Sequence, residues 1–468
     1  METAVMILAQ LEQSGHKAYI AGGAVRDKLL GIPQNDIDIV TLAGPRQVLQ
    51  VAQANKWGIH EVGLAFGVVI AVVDGQAFEV ASARREHYGQ DSHRPEEVCF
   101  VEDIRQDLAR RDFTINAMAM DISGELIDPY GGQEDLRRRI IRAVGDPELR
   151  FREDGLRPFR AVRFAAQLGF TIEQKTLEAI PGALPRVQGL SVERVRGELE
   201  KILLAPYPAL GLQLLLDTGL LGCTCLSNSG GGQERVGILP ELLHLKGLEQ
   251  NTRYHLFDAW QHTLKVVEKV PPELTLRWAA LLHDTAKGLP GVRGVNKRGE
   301  LTDYGHDRTG REIARRVLTR LKVPRAVADR AVWLVGHHMT LPGAEPGQVK
   351  KWLVKRAADF SSKEQLRQAA GQLLLLRRAD IAGGKVNGGD DKEIDVLEML
   401  LEEVLEKTPL YPADLVLTGE KVARELGAGP QVKEFLNFLL AQVQKGLLPN
   451  EPDCLEELLR RKAENLHE

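Results

Sequence analysis

The sequence predicts an α+β fold, with a mixed sheet in the N-terminal third and helices elsewhere. Three observations carry this. Short alternating or apolar runs bounded by turn residues cluster in residues 1–145, as strands require. From about residue 146 the strand signal vanishes and apolar residues recur at helical spacing. Leu, Ala, Arg and Glu are plentiful while aromatics make up 5% of the chain, a composition that favours helix.

Taken in order, residues 3–13 are periodic and helical, and Ala18–Gly22 is a short apolar strand ending in a glycine pair. Asp36–Thr41 (DIDIVT) alternates polar and apolar residues, so it predicts a half-buried strand. Val68–Val73 and Phe78–Ala81 flank Asp74-Gly75, a pair that supplies the positive φ angles of a tight hairpin turn. Ala117–Ile122 and Leu126–Ile127 flank Ser123-Gly124 as a second hairpin. Residues 153–168 and 191–204 have helical spacing, and 255–390 form a further helical block. Ser227–Gly232 (SNSGGG) and residues 383–392 (GGKVNGGDDK) read as linker or loop breaks, and about 410–468 as a charged helical end.

The chain has 468 residues, 43% hydrophobic and 27% charged, which excludes a disordered chain and a disulfide-stapled miniprotein and suggests about three domains. Four cysteines without framework spacing fit a reducing compartment. The N-terminus lacks a basic region, and the longest apolar window, Ala209–Leu226, is interrupted by Gln213 and Asp217. The expectation is a cytoplasmic protein with no membrane segment. A net charge of −4 means that a nucleic acid would have to be met by a local basic surface. Residues 137–163 supply one, with nine arginines against four acidic residues.

Chemistry concentrates first in residues 22–38. Gly22-Gly23-Ala24-Val25-Arg26-Asp27 follows a strand and opens a helix, where glycines let backbone N–H groups approach a phosphate. Asp36 and Asp38 stand two apart on a strand, so both face one side. Two carboxylates that close repel unless a cation lies between them, and hard oxygen donors suit Mg²⁺. A lone DxD is more often a solvated strand edge; the phosphate-type turn beside it favours the metal. Glu79 could add a third carboxylate, or be an ordinary exposed strand residue. Arg110-Arg111-Asp112-Phe113-Thr114-Ile115-Asn116-Ala117 places paired guanidinium groups ahead of a strand, suited to phosphate or ribose.

GGAVRD, the spaced DID, RRDFTINAMA, REDGLRPFRAVRFAAQLGF (152–170) and SVERVRGELEKIL (191–203) together resemble the bacterial-type, class II tRNA nucleotidyltransferases. These are the CCA-adding enzymes and their poly(A) polymerase relatives. The match covers about 205 residues. It implies a nucleotidyltransferase head at 1–145, a helical neck and body for base selection and RNA binding at 146–235, and a helical tail that grips tRNA at 391–468. It implies transfer of C and A from CTP and ATP to the tRNA 3′-hydroxyl without a nucleic-acid template. Asp36, Asp38 and Glu79 would be catalytic, the two aspartates holding two Mg²⁺ ions. Gly22, Gly23 and Arg26 would cradle the triphosphate; Arg111, Asp112 and Asn116 would contact ribose or phosphate. Asp154 and Arg157 would read the base, with Arg160 near it. Asp154 and Arg157, three apart on a presumed helix, supply an acceptor and a donor. Cytosine and adenine each pair an amino donor with a ring acceptor, so one Asp–Arg pair serves both, whereas uracil and guanine turn a carbonyl toward the Asp.

Departures from the family pattern are Gly155 and Pro158 within that presumed helix, and His93-Arg94-Pro95 where Arg-Arg-Pro is frequent. Residues 84–99 resemble the flexible loop used in switching from C to A, which favours full CCA or terminal A addition over CC-only addition.

A second constellation lies in the helical block. His255, Asp258 and His262 share one helical face, followed by His283-Asp284, His306, His337-His338 and Asp380. Imidazole and carboxylate groups scattered over helices describe a divalent metal site, and a bridging Asp could hold two ions. This pattern resembles the HD phosphohydrolase domain over about 236–390. The resemblance implies His262, His283, Asp284 and Asp380 as ligands, joined by His306 and His338, with a second divalent transition metal and phosphatase or cyclic phosphodiesterase chemistry. Two other readings remain: a poly(A) polymerase on general RNA, and a metal-dependent phosphohydrolase with an RNA-binding N-terminal part. The sequence leaves the oligomeric state open.

Overall fold

The computed structural model of the chain describes residues 1–34, 36–60, 66–89, 95–229, 232–384 and 392–467. It divides into two compact units, Met1–Leu243 with Val317–Val323, and His244–Arg316 with Pro324–Glu468.

In the first unit the alternation of residues 68–82 organises the sheet. Strands β1 (Ala18–Ala21), β2 (Asp38–Thr41), β3 (Gly58–His60), β4 (Val68–Val73) and β5 (Gln76–Ser82) are followed by a hairpin, β6 (Arg84–Tyr88) and β7 (Pro95–Phe100), and by β8 (Ala119–Met120) and β9 (Leu126–Ile127). Seven of them form one sheet in the order β3-β4-β5-β2-β1-β8-β9. Only the β2–β5 pair is parallel within it, and its register sets Asp38 directly beside Glu79. The turn between β4 and β5 has φ of +50° at Asp74 and +75° at Gly75, as that pair predicts. Tyr19, Ala21, Val40, Leu108, Ala119 and Val144 are buried together against this sheet.

Two expectations fail here. Residues 84–99 are not wholly a loop: β6 and β7 pair antiparallel from Arg84↔Phe100 to His87↔Glu97. His93 and Arg94 lie outside the described residues. Strands also continue past residue 146. Ile140–Ile141 pairs with Thr171–Ile172, Thr224–Ser229 with Gly232–Gly237, and Arg293–Val295 with Leu301–Asp303. Of the stretch Ser227–Gly232, expected to be a loop or linker, Ser227–Ser229 and Gly232 belong to the paired strands; Gly230 and Gly231 lie outside the described residues. The Ile140–Ile141 and Arg293–Val295 pairings are only two or three residues long, and Thr224–Ser229 with Gly232–Gly237 is rich in polar residues and glycine, so periodicity has little to register.

The expected helix over 153–168 is two helices, Pro147–Glu153 and Arg157–Leu168. Pro158 has no N–H to bond the Asp154 carbonyl, so the first helix cannot run through. Asp154 is extended (φ −136°, ψ 112°), and Pro158 sits in the first turn of the second helix, where proline is favoured. Asp154 and Arg157 therefore do not share a helical face.

The second unit is helical around fully buried Trp260 and Trp278, with a separate apolar cluster, including Leu417, Val422, Leu439 and Leu455, in its C-terminal part. Its helix Ala259–Lys269 begins after Asp258, whose carboxylate caps the Gln261 N–H at 2.7 Å. His255 consequently precedes the helix and does not share its face with His262. In the glycine-rich 383–392, Gly383 and Gly384 end the helix Lys363–Gly384, and Lys392 opens Lys392–Lys407; 385–391 lie outside the described residues. Among the described residues no helix is long and apolar enough to cross a membrane.

Candidate active site and metal centre

A cavity of about 680 Å³ opens on the first unit. Asp36, Asp38 and Glu79 form one wall, and Arg26, Arg111, Asp112, Asn116, Asp154, Arg157 and Arg160 also line it. Gly23 reaches the lining, while Gly22 lies beneath it as the N-cap of helix Gly23–Leu30. Its φ of +75° suits glycine, and a side chain there would run into the Arg111 guanidinium.

Lost solvation in the pocket raises the Asp38 carboxyl above its usual range; Arg111 opposes this and Asp36 reinforces it. Glu79 is raised by the same loss of solvation and by Asp38, against Arg84 and Arg111. Three crowded hard-oxygen donors, two with a raised affinity for protons, form a set that fits a divalent ion.

The opposite wall is a chain of charge-assisted bonds. Arg26 NH1 donates to Asn116 Oδ1 at 2.8 Å, and Asn116 Nδ2 donates to Asp112 Oδ1 at 3.1 Å. Arg160 Nε donates to Asp112 Oδ2 at 2.6 Å. Burial alone would raise the Asp112 carboxyl; Arg160, the Asn116 amide and Arg157 outweigh it and hold it at about 2. The RRDFTIN motif thus forms a buried strut under the cavity.

Arg157 is 5% exposed and its guanidinium donates to the carbonyls of Arg150 and Arg110, both at 2.9 Å, and to Glu153. It reaches the cavity with its donors largely engaged. Asp154 caps Leu156 N at 2.9 Å and lies 3.7 Å from Arg194. Arg194, Arg163 and Phe164 were not singled out by sequence. Arg26, Arg160 and Arg163 surround the Phe164 ring at 5.1, 5.6 and 4.3 Å from its centroid. Phe164 stands four residues after Arg160 on one helix, the signal that could have found it.

The second unit holds a separate cavity of about 600 Å³. His262 Nε2 and His283 Nε2 lie 3.3 Å apart, and His306 Nε2 and His338 Nε2 3.1 Å apart. Nδ1 of His283, His306 and His338 each faces a backbone carbonyl at 2.7–2.8 Å, so the proton sits on Nδ1 and the Nε2 lone pairs converge. Asp284 spans both pairs, its Oδ2 3.2 Å from His283 and its Oδ1 3.4 Å from His306. Asp380 Oδ1 lies 3.1 Å from His262. Opposed lone pairs in a buried site repel unless a cation separates them, so this donor set fits metal. Burial, with His283 and His306, lowers His338 to about 3, leaving it neutral. His255 lines the cavity, whereas His337 Nδ1 faces the Trp333 carbonyl and its Nε2 faces Arg356.

Comparison with known proteins gives three family matches: the poly A polymerase head domain over residues 18–142, the probable RNA and SrmB-binding site of polymerase A over 169–222, and the HD domain over 252–382. The chain is similar to the CCA-adding enzyme of Lactobacillus helveticus, 42% identical over 370 residues that cover 74% of this chain and 89% of that protein. It is 47% identical over 219 residues to the CCA-adding enzyme of Geobacillus thermodenitrificans, covering 47% of this chain. The match spans about half, 53%, of that relative's length. The crystal structure of the Bacillus stearothermophilus CCA-adding enzyme in complex with CTP superposes with a TM-score of 0.67 at 30% identity, covering 99% of this chain and 98% of that one.

Proposed function

The chain belongs to the CCA-adding enzyme family of nucleotidyltransferases, and from that membership we propose that it adds C and A from CTP and ATP to the 3′-hydroxyl of tRNA without a nucleic-acid template. The observation that carries this is the pairing of Asp38 beside Glu79, with Asp36 on the same wall, across one cavity from Arg26, Arg111 and Arg160. Acidic residues on one side and guanidinium groups on the other suit a metal-bound triphosphate.

Asp36 and Asp38, with Glu79 adjacent, would hold Mg²⁺, which supplies activation of the attacking hydroxyl and stabilisation of the leaving pyrophosphate. Gly23, at the helix N-terminus, brings its backbone N–H toward the triphosphate, Gly22, whose own N–H donates to the Met118 carbonyl at 3.0 Å, makes the turn, and Arg26 and Arg111 take the triphosphate's charge. Asp112 and Asn116 fix Arg26 and Arg160 in place. Asp154, next to Arg194, presents the acceptor for a base amino group, and Arg157 defines the adjoining wall and offers the donor. The head, neck and body, metal domain and tail correspond to residues 1–145, 146–235, 236–390 and 391–468, the tail and the basic stretch meeting tRNA.

The converging imidazoles favour a second activity: metal-dependent hydrolysis of a phosphoester, with His262, His283, Asp284, Asp380, His306 and His338 holding a divalent transition metal.

The test uses labelled CTP and ATP, separately and together, with Mg²⁺ and tRNA transcripts ending before CCA, after C and after CC. Growth of all three to one fixed length is expected. Extension of the CC-ended transcript alone by one A would make it an A-adding enzyme. Runs of A on unrelated RNA would make it a poly(A) polymerase, and no extension would refute the proposal.

A further inference from the structure

Asp107 lies outside the cavity and is fully buried in helix Ile104–Ala109, yet three arginines converge on it. Its Oδ1 accepts from Arg110 NH2 at 2.7 Å, Arg110 Nε at 2.9 Å and the Arg84 backbone N–H at 3.2 Å. Its Oδ2 faces Arg111 NH2 at 3.4 Å. Arg110 also grips the β6–β7 hairpin, its Nε reaching the Arg84 carbonyl at 3.1 Å and its NH1 the Glu86 carboxylate at 2.9 Å.

Arg111 stands between two sets of acids. One is Asp107 behind it; the other is the Asp38 and Glu79 wall in front, whose carboxyls it influences. Its Nε is buried and finds no acceptor among the described residues. Asp107 is the charged anchor behind the guanidinium, beside the Asn116 carbonyl, which accepts from Arg111 NH1 at 3.4 Å.

We propose that Asp107 is a positioning residue for nucleotidyl transfer: it holds Arg111 back from the metal-binding carboxylates and, through Arg110, fastens the β6–β7 hairpin to the same point. This rests on the nucleotidyltransferase reading above. Without the Asp107 charge, Arg111 pairs with Asp38 or Glu79 and competes with the divalent ion for them. Hairpin and nucleotide pocket then lose their common anchor.

The test is Asp107→Asn in the full chain, read in two ways. Equilibrium dialysis of labelled CTP across a Mg²⁺ series, without tRNA, should show half-maximal binding at about tenfold higher Mg²⁺, the scale of one lost charge-assisted contact. Incorporation assays should show the same shift, with activity recovering at high Mg²⁺ and the KM for tRNA unchanged. A purely structural role would lower activity at every Mg²⁺ concentration. In an Arg111→Gln background, Asp107→Asn should cause no further shift, since Asp107 acts through Arg111. Additive shifts, or an unchanged Mg²⁺ requirement in Asp107→Asn, overturn the proposal. If Asp107→Asn does not fold, Asp107→Glu replaces it: the extra methylene displaces the carboxylate and shifts the requirement at least about twofold, and no shift again overturns the proposal. Wild-type protein that incorporates no nucleotide would instead refute the functional reading, independently of Asp107.

Discussion

Asp112→Asn removes the charge that joins the two halves of the cavity's basic wall. In the folded protein this carboxyl is held at about 2, against an ordinary 3.8, so the difference is worth about 2–3 kcal/mol. Because the folded value is depressed, the contribution is present above pH 3.8 and is lost as pH falls toward 2. The amide replaces the carboxylate without changing the volume, so packing around Phe113 and Phe164 is retained. Hydrogen exchange of the peptide spanning residues 108–120 reads the local effect without assuming that the whole chain unfolds in one step. At pH 7 the variant should exchange about 60-fold faster than wild type through opening reactions, and at pH 2 only about twofold faster. A ratio near one at pH 7, or one that stays constant down to pH 2, would refute the claim that the Arg160–Asp112–Asn116 strut holds the wall together.

Further predictions concern the two sites. Gly22→Ala places a side chain at φ +75° against Arg111; it should destabilise by about 1–2 kcal/mol and reduce CTP binding in equilibrium dialysis, and unchanged binding would contradict the close approach. Glu79 has a raised carboxyl, so the ion-free fold is favoured at low pH and loses stability as pH rises above 4.5. Glu79→Gln should therefore melt higher than wild type at pH 7 without Mg²⁺, with the difference closing below about pH 4, as scanning calorimetry would show. Asp284→Asn should strip metal from both imidazole pairs and His262→Ala from one; metal analysis of the purified proteins that finds wild-type content in Asp284→Asn would exclude a bridging role.

Much of this architecture was legible in sequence because it rests on short-range rules. The Asp74-Gly75 turn dictates its hairpin, and both carboxylates of the DxD pair line one cavity, although Asp36 precedes the strand Asp38–Thr41 on which both were expected. The HD doublet with its flanking histidines converges as its spacing suggests. What was not legible depends on single atoms or distant partners. One missing N–H, at Pro158, splits a helix whose apolar periodicity runs straight through. Asp258 looks like a ligand by spacing but is engaged as a cap. Arg163, Phe164 and Arg194 acquire meaning only when the helices Arg157–Leu168 and Val192–Leu203 come together beside the sheet. Asp107 resembles any helical acid until two guanidinium groups and the Arg84 backbone N–H are seen to close on it.

The Phe164 ring has a last implication. Arg26, Arg160 and Arg163 crowd one aromatic ring, and such mutual repulsion is tolerable only where counter-charge is near. Asp27, Asp112 and Glu198 offset it, each within 3.0 Å of one of these arginines. On the proposed function, a triphosphate bound at this wall adds its charge to these carboxylates, so it would be a structural component as well as a substrate. Binding should stiffen the protein as well as load it, and inorganic pyrophosphate alone should raise the melting temperature through the same arginines.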